Sequence, residues 1–199
     1  SQNKGIENVE PKKIRQMGVT IGRLPVGKKN CITDVQDVKV GHITLDSSLG
    51  GGEYACTGVT AILPHGGNLF QQKVVGASYI LNGFGKTTGL IQVNELGLIE
   101  SPIMLTNTFG IPAVAQGTLE YMLERNPTIG DSTGTINIVV GECNDSRLNS
   151  IRKLPIEPKH AIECIQNASS ETSPEGAVGA GKGMICFGYK GGIGSSSRI

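Results

Sequence analysis

The segment Glu175-Gly176-Ala177-Val178-Gly179-Ala180-Gly181-Lys182-Gly183-Met184 places four glycines within eight residues and runs straight into the apolar stretch Met184-Ile185-Cys186-Phe187. Glycine admits positive φ and lets the backbone approach a neighbour or a ligand closely. A loop of this kind can aim several N–H groups at one developing negative charge. The run therefore reads as part of a site, with Gly179 and Gly181 as candidate catalytic positions. It is not a nucleotide loop. Gly176-x-x-x-x-Gly181-Lys182 matches a P-loop until its last position, where Gly183 stands in place of the Ser or Thr that holds Mg²⁺. Polar Ser169–Pro174 precedes it and a strand-like run follows, the reverse of strand, loop, helix. Gly85-Lys86-Thr87 has the right ending, but Ile80 occupies the first glycine position. After Gly179-x-Gly181, the third glycine of a dinucleotide fingerprint is Met184. No cofactor is expected.

The chain has 199 residues, enough for one good core. Its formal net charge of +1 gives no basis for a nucleic-acid or anionic-membrane partner. Tryptophan is absent and aromatics are few, so the core must be built from Ile, Val, Leu and Ala. The five cysteines are scattered and form no CxxC pair, which reads as reduced thiols in a cytoplasmic protein. His42, His65 and His160 are isolated, so no metal site is expected. No apolar run reaches the ~18 residues of a membrane span, and residues 1–15 lack the hydrophobic stretch of a secretion signal.

The chain reads as an N-terminal arm over residues 1–30 followed by one domain over 31–199. Within the arm, residues 1–18 are expected to be loosely held. Strand character runs from Val35 to Leu45, through Gly58–Leu63 (closed by Pro64), at Ile103–Thr106, at Thr135–Val140 and at Met184–Tyr189. Residues 77–81 fit either strand or helix, and Asn82–Gly89 is a loop on its glycine content. Ile111, Val114, Ala115, Leu119, Met122 and Leu123 recur at helical spacing. Asn107 or Thr108 can cap that helix, and Asn126-Pro127 ends it. A second helix is expected from about Pro158 to Asn167, with Ala161, Ile162, Ile165 and Ala168 inward. The mixed order predicts layered α/β packing.

Glu142, Cys143, Asn144 and Asp145 follow the apolar strand ending at Val140. Polar groups just past a buried strand lie where sheet ends open onto a cleft. A carboxylate there can bind an ammonium group, and an amide can hold a carbonyl or oxyanion. Alternatively Asn144-Asp145-Ser146 makes an ordinary turn. Asn107 is open in the same way, as helix cap or pocket amide. Cys143 has no demonstrable histidine partner and reads as inert.

Several segments together resemble the DmpA-type aminopeptidases, which include L-aminopeptidase/D-amino-acid esterases and β-peptidyl aminopeptidases. They are Asn30–Val35 with Val40-Gly41-His42, Gly58–Pro64, Leu81–Gly85, Leu105–Thr108, Gly141–Asp145, Gly176–Met184, and Lys190–Gly194 with Ser197-Arg198. They occur in the family's order. The resemblance implies an αββα sandwich like that of N-terminal-nucleophile hydrolases. It implies a precursor that cuts itself and frees a Ser or Thr nucleophile at the start of a second, β subunit. On that reading this chain is the α subunit and the nucleophile is absent from it. Its partners would be the β subunit of the same precursor, an oligomer of αβ units, and a small peptide or amino-acid amide substrate. Glu142 corresponds to the acidic group that binds the substrate's free amine, Asn144 sits where some members carry a functional tyrosine, and Asn107 and Asn82 are pocket residues. Ala177 departs from the family, which often has an oxyanion-binding asparagine there. Lys182 stands where threonine is common; it is solvated, or it pairs with Glu175 or a substrate carboxylate. Two further readings are an acyltransferase of the ornithine acetyltransferase kind and a catalytically silent peptide-binding homologue.

Overall fold

The computed structural model describes residues 12–199. A long hairpin dominates it: β1 (Lys39–Gly50) pairs antiparallel with β2 (Glu53–Leu63), His42 opposite Thr60 and Gly41 opposite Ala61. Gly50, Gly51 and Gly52 turn the chain at its tip, all with positive φ. There follow β3 (Val74–Val75), α1 (Leu90–Leu96), β4 (Leu98–Ile99) and β5 (Ile103–Asn107). Then come α2 (Ile111–Arg125), β6 (Val139–Cys143), α3 (Pro158–Gln166) and the ribbon strands β7 (Ile185–Cys186) and β8 (Tyr189–Lys190). The main sheet has the order β1-β2-β5-β6. Its first three strands are antiparallel, and β6 lies parallel to β5 because α2 carries the chain back across the sheet. No helix among the described residues is long and apolar enough to cross a membrane.

Alternation along the strands gives the sheet two different faces. Val59, Ala61, Met104 and Val140 form one, buried against Ile111, Val114, Ala161, Cys164 and Ile165 of the helices. The helices sit close. A Cβ on Gly41 would collide with the Cys164 carbonyl, and one on Gly117 of α2 with the Pro158 backbone. This closeness fixes which side of α2 faces inward. Gly117 and Thr118 are buried, with the Thr118 hydroxyl donating to the Val114 carbonyl at 2.7 Å. Leu119 and Leu123, expected on the inner face, are exposed. On α3 the buried set is His160, Ala161, Cys164 and Ile165.

The opposite face carries Val40, His42, Thr60, Ile62 and Leu105, which line a cavity of about 260 Å³ with Ile193. Among the described residues the glycine loop, tightened into a 3₁₀ turn at Gly179–Gly181, the strap around Gly192–Ser196, and Ile32, Ser173 and Pro174 lie over it. The architecture is mixed α/β. The described residues supply one helix layer and one four-stranded sheet of the sandwich expected from the family resemblance.

Two strands shift from their expected places. β1 starts at Lys39 and continues to Gly50. β6 starts at Val139, because the Asn137 N–H leaves the ladder and donates to Glu100 Oε1 at 2.7 Å. The expected strand at 184–189 is a pair of two-residue strands. Of the expected arm, residues 1–11 lie outside the described residues. Val26 bridges Arg198, and Lys29 N–H donates to Asp34, so the second half of the arm is tied to the chain's last residues.

Candidate active site

The parallel pair β5–β6 brings Thr106 beside Glu142 and Asn107 beside Cys143. Where these strands end, Leu105, Glu142, Cys143, Ala180, Met184 and Ile193 enclose a cavity of about 310 Å³. Glu142 is half-buried on its rim. One carboxylate oxygen accepts the Thr108 hydroxyl, the backbone N–H donates to Thr87 Oγ1 at 3.1 Å, and Gly85 packs against the other oxygen. No ion pair among the described residues includes Glu142. Lys86, between the Gly85 and Thr87 that contact Glu142, turns onto the Phe84 carbonyl and ring. The site therefore presents an acidic group, held in place by the Thr108 hydroxyl, with its charge unmatched among the described residues.

Cys143 lies deeper. Its thiol is 3.4 Å from the Thr106 carbonyl and 3.5 Å from that of Ala180. Burial pushes it up to about 12, with the Asp145 and Glu142 carboxylates adding to the effect. A thiol so held is protonated at neutral pH and is a poor nucleophile, which agrees with the inert reading.

The glycine turn walls the cavity, but its N–H groups are committed elsewhere. Gly179 N–H donates to Thr44 Oγ1 at 2.9 Å and Ala180 N–H to Thr60 Oγ1 at 3.0 Å. Gly181 N–H reaches the Val178 carbonyl at 3.0 Å, and Lys182 N–H the Gly179 carbonyl at 3.1 Å. Gly179 and Gly181, expected as catalytic positions, shape the site while their own N–H groups bond inside the protein. Lys182 pairs with Asp46, not with Glu175, whose own partner is Lys13.

The asparagines expected at the site are also placed differently. Asn107 is 2% exposed; its Oδ1 accepts Gly110 N–H at 2.8 Å and its Nδ2 donates to Thr57 Oγ1 at 2.7 Å. Both ends of the amide are used, so it is a cap and not a pocket amide. Asn144 is exposed and turns back to accept Ser146 N–H at 3.0 Å, the ordinary turn considered for it. Asn82 does the same for Phe84 N–H at 3.0 Å. Beneath them Asp145 is buried and accepts Asn149 Nδ2 at 3.0 Å. Burial raises its pKa, against hydrogen bonds from Thr57, Asn149 and Asn107.

Thr87, Thr108, Met184 and Ile193 lie at the site and were not expected there as pocket residues, Thr108 having been offered only as a helix cap. Thr108 carried the one usable signal, its place directly after the β5 strand. No group of three or more His, Cys, Asp or Glu able to hold a metal occurs among the described residues.

Comparison with known proteins places this geometry. Residues 30–199 match Peptidase family S58. The chain is 35% identical over 199 residues to the beta-peptidyl aminopeptidase BapA of Sphingosinicella microcystinivorans, covering 98% of this chain and 49% of that one. The crystal structure of the PH0078 protein from Pyrococcus horikoshii OT3 superposes with a TM-score of 0.91 at 49% identity, over 94% of this chain and 54% of that one. The L-aminopeptidase D-Ala-esterase/amidase from Ochrobactrum anthropi, described as a variant of the Ntn hydrolase fold, gives 0.80 at 32% identity, over 89% and 50%. This chain spans about half the length of each. The family match spans the hairpin, the Glu142 strand and the glycine turn, and on it the chain belongs to peptidase family S58.

Proposed function

We propose that this chain is the α subunit of a self-processed aminopeptidase that removes N-terminal residues from small peptides, amides or esters. The observation that carries the reading is the unmatched carboxylate of Glu142 at the rim of the cavity. A half-buried anion without a cation is suited to a substrate's ammonium group, because a charged hydrogen bond there is stronger than the same contact in water. Thr108 holds that carboxylate and Thr87 holds the Glu142 backbone, so the substrate's first residue is fixed relative to the glycine turn.

The attacking group belongs to a second subunit cut from the same precursor. A Ser or Thr at a new N-terminus carries a free α-amine with a reference pKa of about 7.7–8.0, which can accept the hydroxyl proton near neutrality. The hydroxyl oxygen adds to the carbonyl carbon, the tetrahedral intermediate expels the amine, and water hydrolyses the acyl-enzyme. Ala177 offers no side-chain donor, and the turn's N–H groups are engaged, so the oxyanion donors come from the rest of the assembly. The open apolar sheet face is where the second subunit's sheet would pack, which supports the reading. Residence in the cytoplasm and assembly of several αβ units belong to the same proposal. The first is supported by five free cysteines, the second by the family resemblance.

Denaturing electrophoresis of the full-length gene product tests processing. Two bands are expected, the smaller beginning with Ser or Thr. One uncut band without activity would favour the silent homologue, and transfer to an amine acceptor in place of water the acetyltransferase-like reaction. Glu142→Gln is expected to lower kcat/KM on a free amino-acid amide by about 10- to 100-fold, the worth of one charged hydrogen bond. The parent should reject the N-acetylated amide.

A further inference from the structure

The residue that walls the Glu142 cavity, Ala180, is gripped from both sides. Its carbonyl accepts the Cys143 thiol at 3.5 Å, and its N–H donates to Thr60 Oγ1 at 3.0 Å. That hydroxyl lies 2.8 Å from His42 Nδ1, while Nε2 of the same ring lies 3.0 Å from Ser173 Oγ. Thr60 is 1% exposed and Ser173 8%.

This chain of contacts has a direction. The Thr60 hydroxyl owns one proton and already accepts from the Ala180 peptide. With Nδ1 bare, the hydroxyl proton goes to Nδ1 and Nε2–H goes to Ser173 Oγ. The Ser173 hydroxyl then goes on to the Pro174 carbonyl at 3.4 Å. Every donor finds an acceptor. With a proton on Nδ1, Thr60 would have to accept twice, and its own proton would be left inside a buried site, at a cost. Burial holds the His42 imidazole below its ordinary pKa, with the Pro174 carbonyl pulling the other way, so the ring is neutral as the scheme requires. The turn also touches the ring directly. Gly179 has φ +54°, and a Cβ there would overlap His42 Nδ1 and Thr60 Oγ1.

We propose that His42 is a positioning residue: in its Nε2–H form it orients the Thr60 hydroxyl, and through that hydroxyl it fixes the Ala180 segment against the sheet. Its effect on catalysis rests on the reading of the Glu142 cavity as the substrate site. Its effect on the turn does not.

The test uses the full-length gene product with His42→Asn, His42→Phe or Thr60→Val. Asparagine can place an amide oxygen near the position of Nδ1 and keep the acceptor; phenylalanine keeps a ring and removes it. Hydrogen exchange read by mass spectrometry over peptides spanning residues 176–187 reports on the turn. The kcat and KM for an amino-acid p-nitroanilide report on the site. His42→Phe and Thr60→Val are expected to speed exchange in the turn by about tenfold or more, the usual effect of losing a buried partner. They should lower kcat/KM by a similar factor, while His42→Asn stays within about threefold of the parent in both. Should His42→Phe fail to fold, Thr60→Val, a change of one hydroxyl to a methyl, carries the comparison. Unchanged exchange in Thr60→Val overturns the proposal, and so does equal loss in the Asn and Phe variants, which would make His42 a packing residue. If the parent hydrolyses no p-nitroanilide, the aminopeptidase reading fails and the exchange measurements alone decide this one.

Discussion

Glu142 and Asn107 sit at the ends of neighbouring strands, yet their side chains face different tasks. Asn107 has both amide atoms engaged inside the protein, at Gly110 and Thr57. Asn107→Ala should therefore act on stability: loss of the cap and of the amide's bonds to Thr57 and the buried Asp145 is expected to cost about 1–3 kcal/mol in urea denaturation. KM for an amino-acid amide should stay near the parent value. An N-acetyl-insensitive rise in KM without loss of stability would return Asn107 to the pocket. The sequence offered the acid and its asparagine neighbours alike as site residues, while the structure leaves Glu142 on the cavity rim and ties the asparagines to nearby groups of the protein, for one physical reason. Asn, Asp and Ser satisfy nearby backbone as readily as a ligand, and nothing in their spacing tells which partner wins. The unmatched charge on Glu142 became visible only once the surrounding cations were located.

At the scale of elements, Glu100 joins parts that are distant in sequence. It is 5% exposed, and its carboxylate accepts Lys73 Nζ at 2.6 Å, Gln92 Nε2 at 3.0 Å and Asn137 N–H at 2.7 Å. It thus ties the β3–β4 ribbon and α1 to the approach of β6. Burial alone would raise its pKa, but Lys73 and the other donors outweigh burial and leave it lowered. A carboxylate with a depressed folded pKa contributes stability that is full above its unfolded value and is lost as pH falls through the folded one. Glu100→Gln should cost about 2 kcal/mol at pH 7 and progressively less in acid, below the ordinary Glu range, with a flatter acid limb in pH-dependent denaturation. An unchanged acid limb would count against this role.

The elements that the sequence announced share a feature: their apolar positions repeat because one side is buried. α2, α3, β5 and the inner half of β2 are of this type. The outer halves of β1 and β2, with Asp46, Ser47, Ser48, Glu53 and Tyr54, project beyond the core and carry no such pattern. Backbone pairing, the Gly50–Gly52 tip and polar ties from Lys182 to Asp46, Ser150 to Tyr54 and Lys153 to Glu53 hold them. α2 misled in the opposite sense: Leu119 and Leu123 fit the apolar repeat, but the close approach of α3 at Gly117 rotated the buried stripe away from them.

Across the described residues, one sheet face is covered by helices and the other is covered only in part, by the glycine turn and the strap. Val40, Ile62, Leu105 and Ile193 line its exposed hollow. The 199-residue chain produced alone is expected to bind the dye ANS strongly, and the processed full-length protein weakly. Equal binding by the two would argue against a second layer on this face. The sequence could not show the open face, since an apolar strand reads the same whether its cover comes from this chain or another.

That open face has a consequence for biosynthesis. On a ribosome, whatever is translated earlier must wait for its complement, and an unprotected apolar sheet is a liability while it waits. On the proposed precursor both halves would share one nascent polypeptide and stay at high effective concentration until they close. Any scission that separates them is then safe only afterwards, so the order of events, assembly before severing, would be set by solubility as much as by chemistry.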